Sequence, residues 1–223
     1  GGSIGGVCMY LAIEGVIGVG KTSLARLISP RFESNLLLEV FEENPFLGDF
    51  YSDRARYAFQ TQIFFLLSRY QQQRTRVPAL LNENPHLISD YTFEKDALFA
   101  SINLIGGELD MYNRVHEALA EKIIQPDLVV YLRAETSVLI QRIALRDRSY
   151  ERSIEPGYID ALNQAYDHFF LESQSLPAPV LILDTNGLDY VHSPGDLVWI
   201  ENRIRQAVHL PPFQPELPLD RAA

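Results

Sequence analysis

The stretch GVIGVGKT, residues 15–22, decides the fold class of this chain. It fits the pattern G-x-x-x-x-G-K-[ST], in which glycines let backbone N–H groups wrap around phosphate oxygens. The apolar run Val7–Ile13 before it predicts a buried strand, and Lys21–Ser29 after it predicts a helix that ends at Pro30. Strand, loop and helix in this order predict a phosphate-binding loop that cradles a nucleoside triphosphate.

The parts of this loop have separate tasks in binding ATP. Lys21 neutralises charge near the transferred phosphate, and the helix that starts there points its positive dipole end at the ligand. The Thr22 hydroxyl is a ligand for Mg²⁺, the metal that we expect to accompany ATP. The predicted ATP-binding residues are Gly15, Gly18, Gly20, Lys21, Thr22 and Ser23.

Short apolar runs alternate with longer amphipathic stretches along the rest of the chain. The predicted strands are Val7–Ile13, Leu36–Val40, His86–Ser89, Leu128–Leu132 and Val180–Leu183. The predicted helices are Lys21–Ser29, Arg54–Arg76, Glu108–Lys122, Thr136–Leu145, Gly157–Glu172 and Pro194–Val208, the second of which should stop before Pro78. This alternation predicts an α/β fold of the P-loop kinase type, with a five-stranded parallel sheet and helices on both faces.

The composition limits the class of partner. The chain has 223 residues, of which 47% are hydrophobic, enough for one domain with a proper core. Its formal net charge of −10 would repel a polyanion, so we expect no nucleic acid polymer as a partner. The single cysteine, Cys8, cannot form an intramolecular disulfide, and no apolar run reaches the length of a membrane span. We therefore expect a cytoplasmic protein with no membrane partner.

We expect one domain between two short flanking segments. Residues 1–8 begin with GGSIGG and are predicted to be either a flexible leader or a cloning remnant. The domain itself is predicted over residues 9–210, and the proline-rich residues 211–223 are predicted to be a tail.

Two acidic residues end predicted strands, and ligands of an open parallel sheet bind beyond such strand ends. Asp90 follows the third strand, in HLISDY. It either holds Mg²⁺, directly or through water, or caps the next helix. Glu39 ends the second predicted strand, in LLLEVFEENPFL, where a carboxylate can take the proton of an acceptor hydroxyl. Glu42 and Glu43 lie nearby and are either its rivals for that task or merely solvated side chains.

Five motifs resemble, in order, those of the deoxyribonucleoside kinases, and in particular the bacterial deoxyadenosine/deoxyguanosine kinase branch. They are GVIGVGKT, LEVFEENPFLGDFY, YAFQTQIFFLLSRYQQ, SDYTFEKDALFA and RIALRDRSYERSI, and the match runs from Met9 to the final helix. The resemblance implies an enzyme of nucleoside salvage that moves the terminal phosphoryl group of ATP to the 5′-hydroxyl of a deoxyribonucleoside. It also implies a preference for purines, and a homodimer.

The resemblance assigns roles at the acceptor site. Glu39 stands where the family has its catalytic base, six residues before Pro45 of the ENP stretch. Tyr51 and Glu151 match residues that reach the sugar 3′-hydroxyl. The predicted substrate-binding residues are Glu39, Tyr51, Gln62, Arg69, Asp90, Asp96 and Glu151.

Three of these residues match those that recognise the nucleoside base. Gln62 and Arg69 are seven residues apart and share one helix face, and a glutamine amide offers a donor and an acceptor to a base edge. Asp96 completes the set and can pair with Arg69. The alternative is that Gln62 and Arg69 are ordinary polar residues of a helix.

A basic run between residues 142 and 152 contains Arg142, Arg146, Arg148 and Arg152, which is dense for an acidic protein. Arginines that close over ATP stabilise charge on the transferred group, and closure excludes water. The run resembles the family lid, at about residues 146–156, with Arg146 and Arg148 as catalytic residues. The alternative is a solvated helix face stabilised by i,i+4 pairs.

The chain departs from the family pattern at one position. Most members carry an arginine directly after the acid at the strand end, whereas this chain has Tyr91. Lys95, one turn further on, is a candidate substitute, although a lysine is a point charge and not a fork.

Two other functions fit the phosphate-binding loop alone. A nucleoside monophosphate kinase, similar to thymidylate kinase, would need an arginine to hold the acceptor phosphate where this chain offers Glu39. A regulatory nucleotide switch of the GTPase type would need a guanine-reading N-K-x-D stretch, which the sequence lacks.

Overall fold

A five-stranded parallel sheet forms the centre of the computed structural model, which describes residues 8–41, 43–172 and 176–213. The strands are β1 (Met9–Glu14), β2 (Asn35–Leu37), β3 (His86–Ser89), β4 (Leu128–Arg133) and β5 (Val180–Asp184). Their order is β2-β3-β1-β4-β5, and every pairing is parallel. The predicted P-loop kinase fold is confirmed.

Eight α-helices lie within the described ranges. They are α1 (Lys21–Ile28), α2 (Leu47–Ser52), α3 (Arg54–Glu83), α4 (Lys95–Asn103), α5 (Gly106–Ala120), α6 (Thr136–Arg146), α7 (Pro156–Asp167) and α8 (Pro194–Ala207). Short turns of other helix types span Pro30–Phe32, Ser149–Glu151 and His168–Glu172. The sequence pattern did not predict α2 and α4, the two helices that flank the acceptor side of the site described below.

The central strand β1 is covered on both faces. Leu11 and Ile13 pack into the larger core cluster, whereas Tyr10, on the opposite face, packs with Leu87 and Val77 in a smaller one. Successive side chains of a strand point to opposite faces, so a strand buried on both reads as a continuous apolar run. This position places the loop that follows β1 at the carboxyl edge of the sheet, between β3 and β4.

The long helix α3 continues through Pro78 to Glu83, so the prediction that it stops before this proline is wrong. A proline inside a helix leaves the carbonyl four residues earlier unpaired, at a cost of about 3 kcal/mol. That carbonyl belongs to the exposed Arg74, where water can hydrate it. The next residues anchor the helix, because Val77 is fully buried and Leu80 packs beside it. Burial of such side chains contributes about 1.5–3 kcal/mol each, which offsets the cost.

Strand β2 ends at Leu37, so Glu39 lies in the connection after the strand. The prediction that Glu39 lies at the end of the strand itself is wrong. Side chains replace the neighbouring strand as hydrogen-bond partners here. Gln72 Nε2 donates to the carbonyl oxygen of Leu38 at 3.0 Å, and the backbone N–H of Glu39 donates to Asp90 Oδ1 at 2.7 Å. The connection is therefore fixed at the edge of the sheet without belonging to it.

Most of the predicted leader and most of the predicted tail lie outside the residues that the structure describes. Residues 1–7 and 214–223, most of both segments, lie outside the described residues, as does Glu42. Of the helices that the structure describes, none combines the length and the apolar character needed to cross a bilayer.

Candidate active site

The phosphate-binding loop connects β1 to α1 and requires glycine at two positions. Gly20 has a φ of 101°, and a Cβ atom there would collide with the hydroxyl of Tyr190. That hydroxyl donates a hydrogen bond shared between the carbonyl oxygens of Val19 at 3.1 Å and Gly20 at 3.0 Å. Gly18 has a φ of 87°, and a Cβ atom there would lie 2.7 Å from Ile143 Cγ1. Local crowding, as well as phosphate binding, thus requires glycine at these positions of the motif.

Lys21 and Thr22 stand at the carboxyl end of β1. The Lys21 ammonium donates to the carbonyl oxygen of Gly15 at 2.7 Å. Burial, and secondly the nearby charge of Lys95, lower the pKa of Lys21 to about 7. The Thr22 hydroxyl donates to Asp90 Oδ2 at 2.6 Å, so a hydroxyl and a carboxylate converge beside the loop.

This pair of oxygens is where a divalent cation could bind. The described residues contain no group of three or more His, Cys, Asp or Glu side chains arranged to hold a metal. A cation at Thr22 and Asp90 would therefore take its remaining ligands from phosphate oxygens and water, which is how Mg²⁺ binds with nucleotides. Asp90 does not cap the next helix, because α4 begins five residues later, after Glu94.

Glu39 is buried across the cleft from the loop, with its carboxylate between two cations. One carboxylate oxygen contacts the Arg69 guanidinium, and the other lies 2.5 Å from Lys95 Nζ. The side chain of Glu39 is 6% exposed, yet it lines the same cleft as Lys21. Its rival Glu43 is exposed, which leaves Glu39 as the described carboxylate of this stretch that faces the site.

Gln62, Arg69 and Asp96 meet in a buried polar group on α3 and α4. Arg69 and Asp96 form an ion pair, and all three side chains are almost fully buried. Within the described residues, Gln62 Oε1, Arg69 Nε and Asp96 Oδ2 have no hydrogen-bond partner. Burial raises the pKa of Asp96 to about 6. Unpaired buried polar atoms are costly, so a ligand with its own donors and acceptors is expected here.

The arginine-rich segment turns away from helical structure after α6. Asp147 has a φ of 49° and ends the helix, so the alternative of a continuous helix face is wrong. Glu151 is 5% exposed and accepts from Arg146 NH2 at 2.5 Å, with Arg148 NH1 3.8 Å away. Glu151 Oε2 has no partner within the described part of the chain. Arg146 and Arg148 thus both line the cleft, and both pair with the Glu151 carboxylate.

One cleft of about 230 Å³ brings these groups together. Every predicted site residue except Gly15 lines it, and Gly15 contributes its carbonyl to Lys21. Arg142, from the same basic run, belongs elsewhere: its guanidinium donates to the carbonyl oxygens of Val19 at 3.3 Å and Thr185 at 2.9 Å. It supports the phosphate-binding loop from behind.

Comparison with known proteins decides the family. Residues 11–209 match the family model described as "Deoxynucleoside kinase". The chain belongs to the deoxynucleoside kinase family. It is an enzyme that phosphorylates deoxynucleosides, with ATP as the phosphoryl donor, and the family resemblance drawn from the sequence motifs is confirmed.

Relatives of this deoxynucleoside kinase cover between 77% and 89% of the chain. Deoxyguanosine kinase of Bacillus subtilis (strain 168) is 30% identical over 201 residues, which are 89% of this chain and 97% of the relative. Deoxyadenosine kinase of Dictyostelium discoideum is 33% identical over 177 residues, 77% of this chain and 70% of the relative. The solved structure of deoxyadenosine kinase from M. mycoides with bound dATP has a TM-score of 0.76 at 27% identity, covering 88% of this chain and 99% of that one.

Sequence reasoning missed an aromatic wall in the kinase cleft. Tyr150 stacks on Tyr51 with ring centroids 6.5 Å apart and meets the edge of Phe41 at 6.1 Å. The Arg148 guanidinium lies 4.7 Å from the centre of the Phe41 ring. The Arg69 guanidinium lies 4.3 Å from the centre of the Phe65 ring in the same way. Each of these aromatic residues lies inside one of the five family motifs, close in sequence to a residue assigned to the site. This closeness is the signal from which they could have been predicted.

Proposed function

We propose that the chain transfers the terminal phosphoryl group of ATP to the 5′-hydroxyl of a deoxyribonucleoside, preferably a purine, and that it needs Mg²⁺. The single observation that carries this proposal is a buried carboxylate, Glu39, in the same cleft as the phosphate-binding Lys21. A carboxylate there suits a neutral hydroxyl, because it can accept the proton as the new bond forms.

The proposed reaction is an in-line displacement. Glu39 accepts the proton of the 5′-hydroxyl while the oxygen bonds to the terminal phosphorus and the bond to the ADP oxygen breaks. Lys21, Arg146 and Arg148 neutralise the charge spread over the phosphoryl oxygens. Mg²⁺, when bound through Thr22 and Asp90, would neutralise charge on the phosphates of ATP. Pre-aligned charges need no reorganisation at the moment of transfer.

The nucleoside fits the acceptor half of the cleft. The unpaired atoms of Gln62, Arg69 and Asp96 supply two acceptors and one donor for a base edge. Glu151 Oε2, also unpaired within the described residues, is available to a sugar hydroxyl, and the partly buried Tyr51 lines the same cleft. The preference for purines rests on the likeness to deoxyguanosine and deoxyadenosine kinases.

The charge of the acceptor half argues against a monophosphate acceptor. Two carboxylates, Glu39 and Asp96, face two cations, Arg69 and Lys95, so the group carries no excess positive charge. A monophosphate brings its own negative charge, so it would need cations in excess of the carboxylates, and it would meet Glu39 at close range. The nucleoside monophosphate kinase alternative is therefore not proposed.

We also propose that the chain forms a homodimer in the cytoplasm. Large apolar side chains are exposed on α3 and at the start of α5: Leu67 is 51% exposed, Ile105 84% and Met111 52%. Such a surface supports association between copies. Light scattering at micromolar concentration tests this, and a monomer mass would contradict it.

A transfer assay tests the proposed function. The purified chain is given labelled ATP, with and without Mg²⁺, and a panel of four deoxynucleosides and their monophosphates. We expect label on deoxyguanosine or deoxyadenosine, less on deoxycytidine, and none on any monophosphate or without the metal. Label on a monophosphate in preference to its nucleoside would overturn the proposal.

A further inference from the structure

Lys95 is a buried lysine whose ammonium faces the reaction cleft. It is the first residue of α4, its side chain is 9% exposed, and its Nζ lies 2.5 Å from Glu39 Oε2. Lysine is almost never buried to this degree unless it is paired. Its ammonium has three donors, and Glu39 is its one hydrogen-bond partner among the described residues, so donors remain for a ligand.

The fully buried Glu14 fixes the segment that leads to Lys95. Glu14 Oε2 accepts the N–H of Gly15 at 3.1 Å, at the start of the phosphate-binding loop. Its other oxygen accepts the N–H of Thr92 at 2.7 Å and the Thr92 hydroxyl at 3.0 Å. The loop and the segment that leads into α4 are thereby tied to one carboxylate. These bonds fix the backbone three residues before Lys95 relative to the loop.

The ammonium of Lys95 shares its cleft with that of Lys21. Both side chains line the same cleft. Two like charges that line one cleft repel each other, and an anion bound between them offsets this repulsion. A phosphoryl group in transfer from donor to acceptor is such an anion.

We propose that Lys95 is a catalytic residue, which donates hydrogen bonds to Glu39 and to the phosphoryl group as it reaches the acceptor oxygen. The proposal rests on the proposed function. Lys95 keeps its proton throughout: the proton of the 5′-hydroxyl goes to Glu39, one O–P bond forms and the bond to ADP breaks. Lys21 binds the group as it leaves the donor, and Lys95 binds it as it arrives.

The test compares Lys95→Met with Lys122→Met, the same change at an exposed lysine. Steady-state kcat and KM for ATP and for the nucleoside are measured, with thermal melting as a check of folding. We expect Lys95→Met to lower kcat by about 100-fold or more, as for loss of one preorganised charge, with KM for the nucleoside changed less than about threefold. Lys122→Met should match the wild type.

A second comparison separates contact with substrate from support of Glu39. Glu39→Gln is compared with the double variant Glu39→Gln/Lys95→Met, which removes both buried charges together and so avoids an unpaired lysine. If Lys95 contacts the transferred group, the double variant has a kcat at least about tenfold below Glu39→Gln, since the two losses then combine. Equal kcat values would reduce Lys95 to a positioning residue and overturn the proposal.

The remaining outcomes are also decisive. A folded Lys95→Met variant with wild-type kcat, or with only a raised KM, would overturn a catalytic role. A wild-type chain that labels no nucleoside would overturn the proposed function and this inference with it. Wild-type activity together with an active Lys95→Met variant would overturn the inference alone.

Discussion

Replacing Glu39 by glutamine removes the proposed base while keeping the shape of the side chain. The glutamine oxygen can still accept from Arg69, but its NH₂ group would face the Lys95 ammonium, donor against donor. Loss of a general base lowers turnover by about 10²–10⁴-fold, or roughly 3–5 kcal/mol in the barrier. Because Arg69 and Asp96 still line the base site, KM for the nucleoside should change little.

The same change should leave the protein folded. Breaking a buried ion pair by removing one partner costs about 3–5 kcal/mol when the other charge is stranded. Here the cost is limited for two reasons. Arg69 retains its ion pair with Asp96. The pKa of Lys95 is already lowered to about 8 by burial and by the charge of Arg69. Loss of the Lys95 proton at pH 7 would cost about 1.4 kcal/mol, one pKa unit, which limits the cost of the stranded charge in the free protein, and bound ATP, an anion, keeps the proton on Lys95 during turnover. We expect a loss of unfolding free energy near that value.

The assay measures kcat and KM of Glu39→Gln with ATP and deoxyguanosine, beside Glu43→Gln as a matched control at an exposed glutamate four residues away. The control should behave as the wild type. A folded Glu39→Gln protein with kcat within about fivefold of the wild type would refute Glu39 as the base, since the expected loss is far larger.

Three further perturbations follow from the cleft. Gly20→Ala, at a φ of 101° and under a tyrosine hydroxyl, should raise KM for ATP at least about tenfold, whereas Gly187→Ala, with open space around it, should not; equal values would contradict the crowding argument. With a pKa of about 6, the Asp96 carboxylate is ionised above that pH and protonated below it, so KM for the nucleoside should rise as pH falls through 6; Asp96→Asn should show a flat profile, and a sloping one would exclude Asp96. Arg148→Met should lower kcat about 10²-fold, measured beside Arg152→Met, whose exposed pair with Asp147 should matter less than about twofold; similar losses would remove the special role of Arg148.

The parts of the site that local rules determine could be predicted from the sequence. The phosphate-binding loop depends on glycines at fixed spacing, and Asp90 follows from the end of an apolar strand. The alternation of strands and helices gave the parallel sheet, because each pattern has its own period. Gln62 and Arg69 share a helix face for the same reason.

The parts that depend on tertiary contacts could not be predicted in this way. Pro78 should stop a helix by its own chemistry, but the burial of Val77 next to it prevails. Glu39 reads as a strand residue, yet its backbone bonds to Asp90, which lies 51 residues away. Glu14 looks like any polar residue after an apolar run, and its burial depends on Thr92, 78 residues away. No local pattern carries such information.

Tyr190 and Arg142 support the phosphate-binding loop from the far half of the polypeptide, and Tyr190 is 171 residues from the carbonyl oxygen of Val19 that it holds. The nucleotide pocket therefore begins at strand β1 but is completed by a segment that the ribosome makes 171 residues after Val19. A nascent chain that stops short of the β5–α8 connection carries the whole glycine motif and still lacks the clamp that shapes it. For this fold, synthesis of the loop and completion of the clamp are separated by the time needed to translate the 171 residues between Val19 and Tyr190.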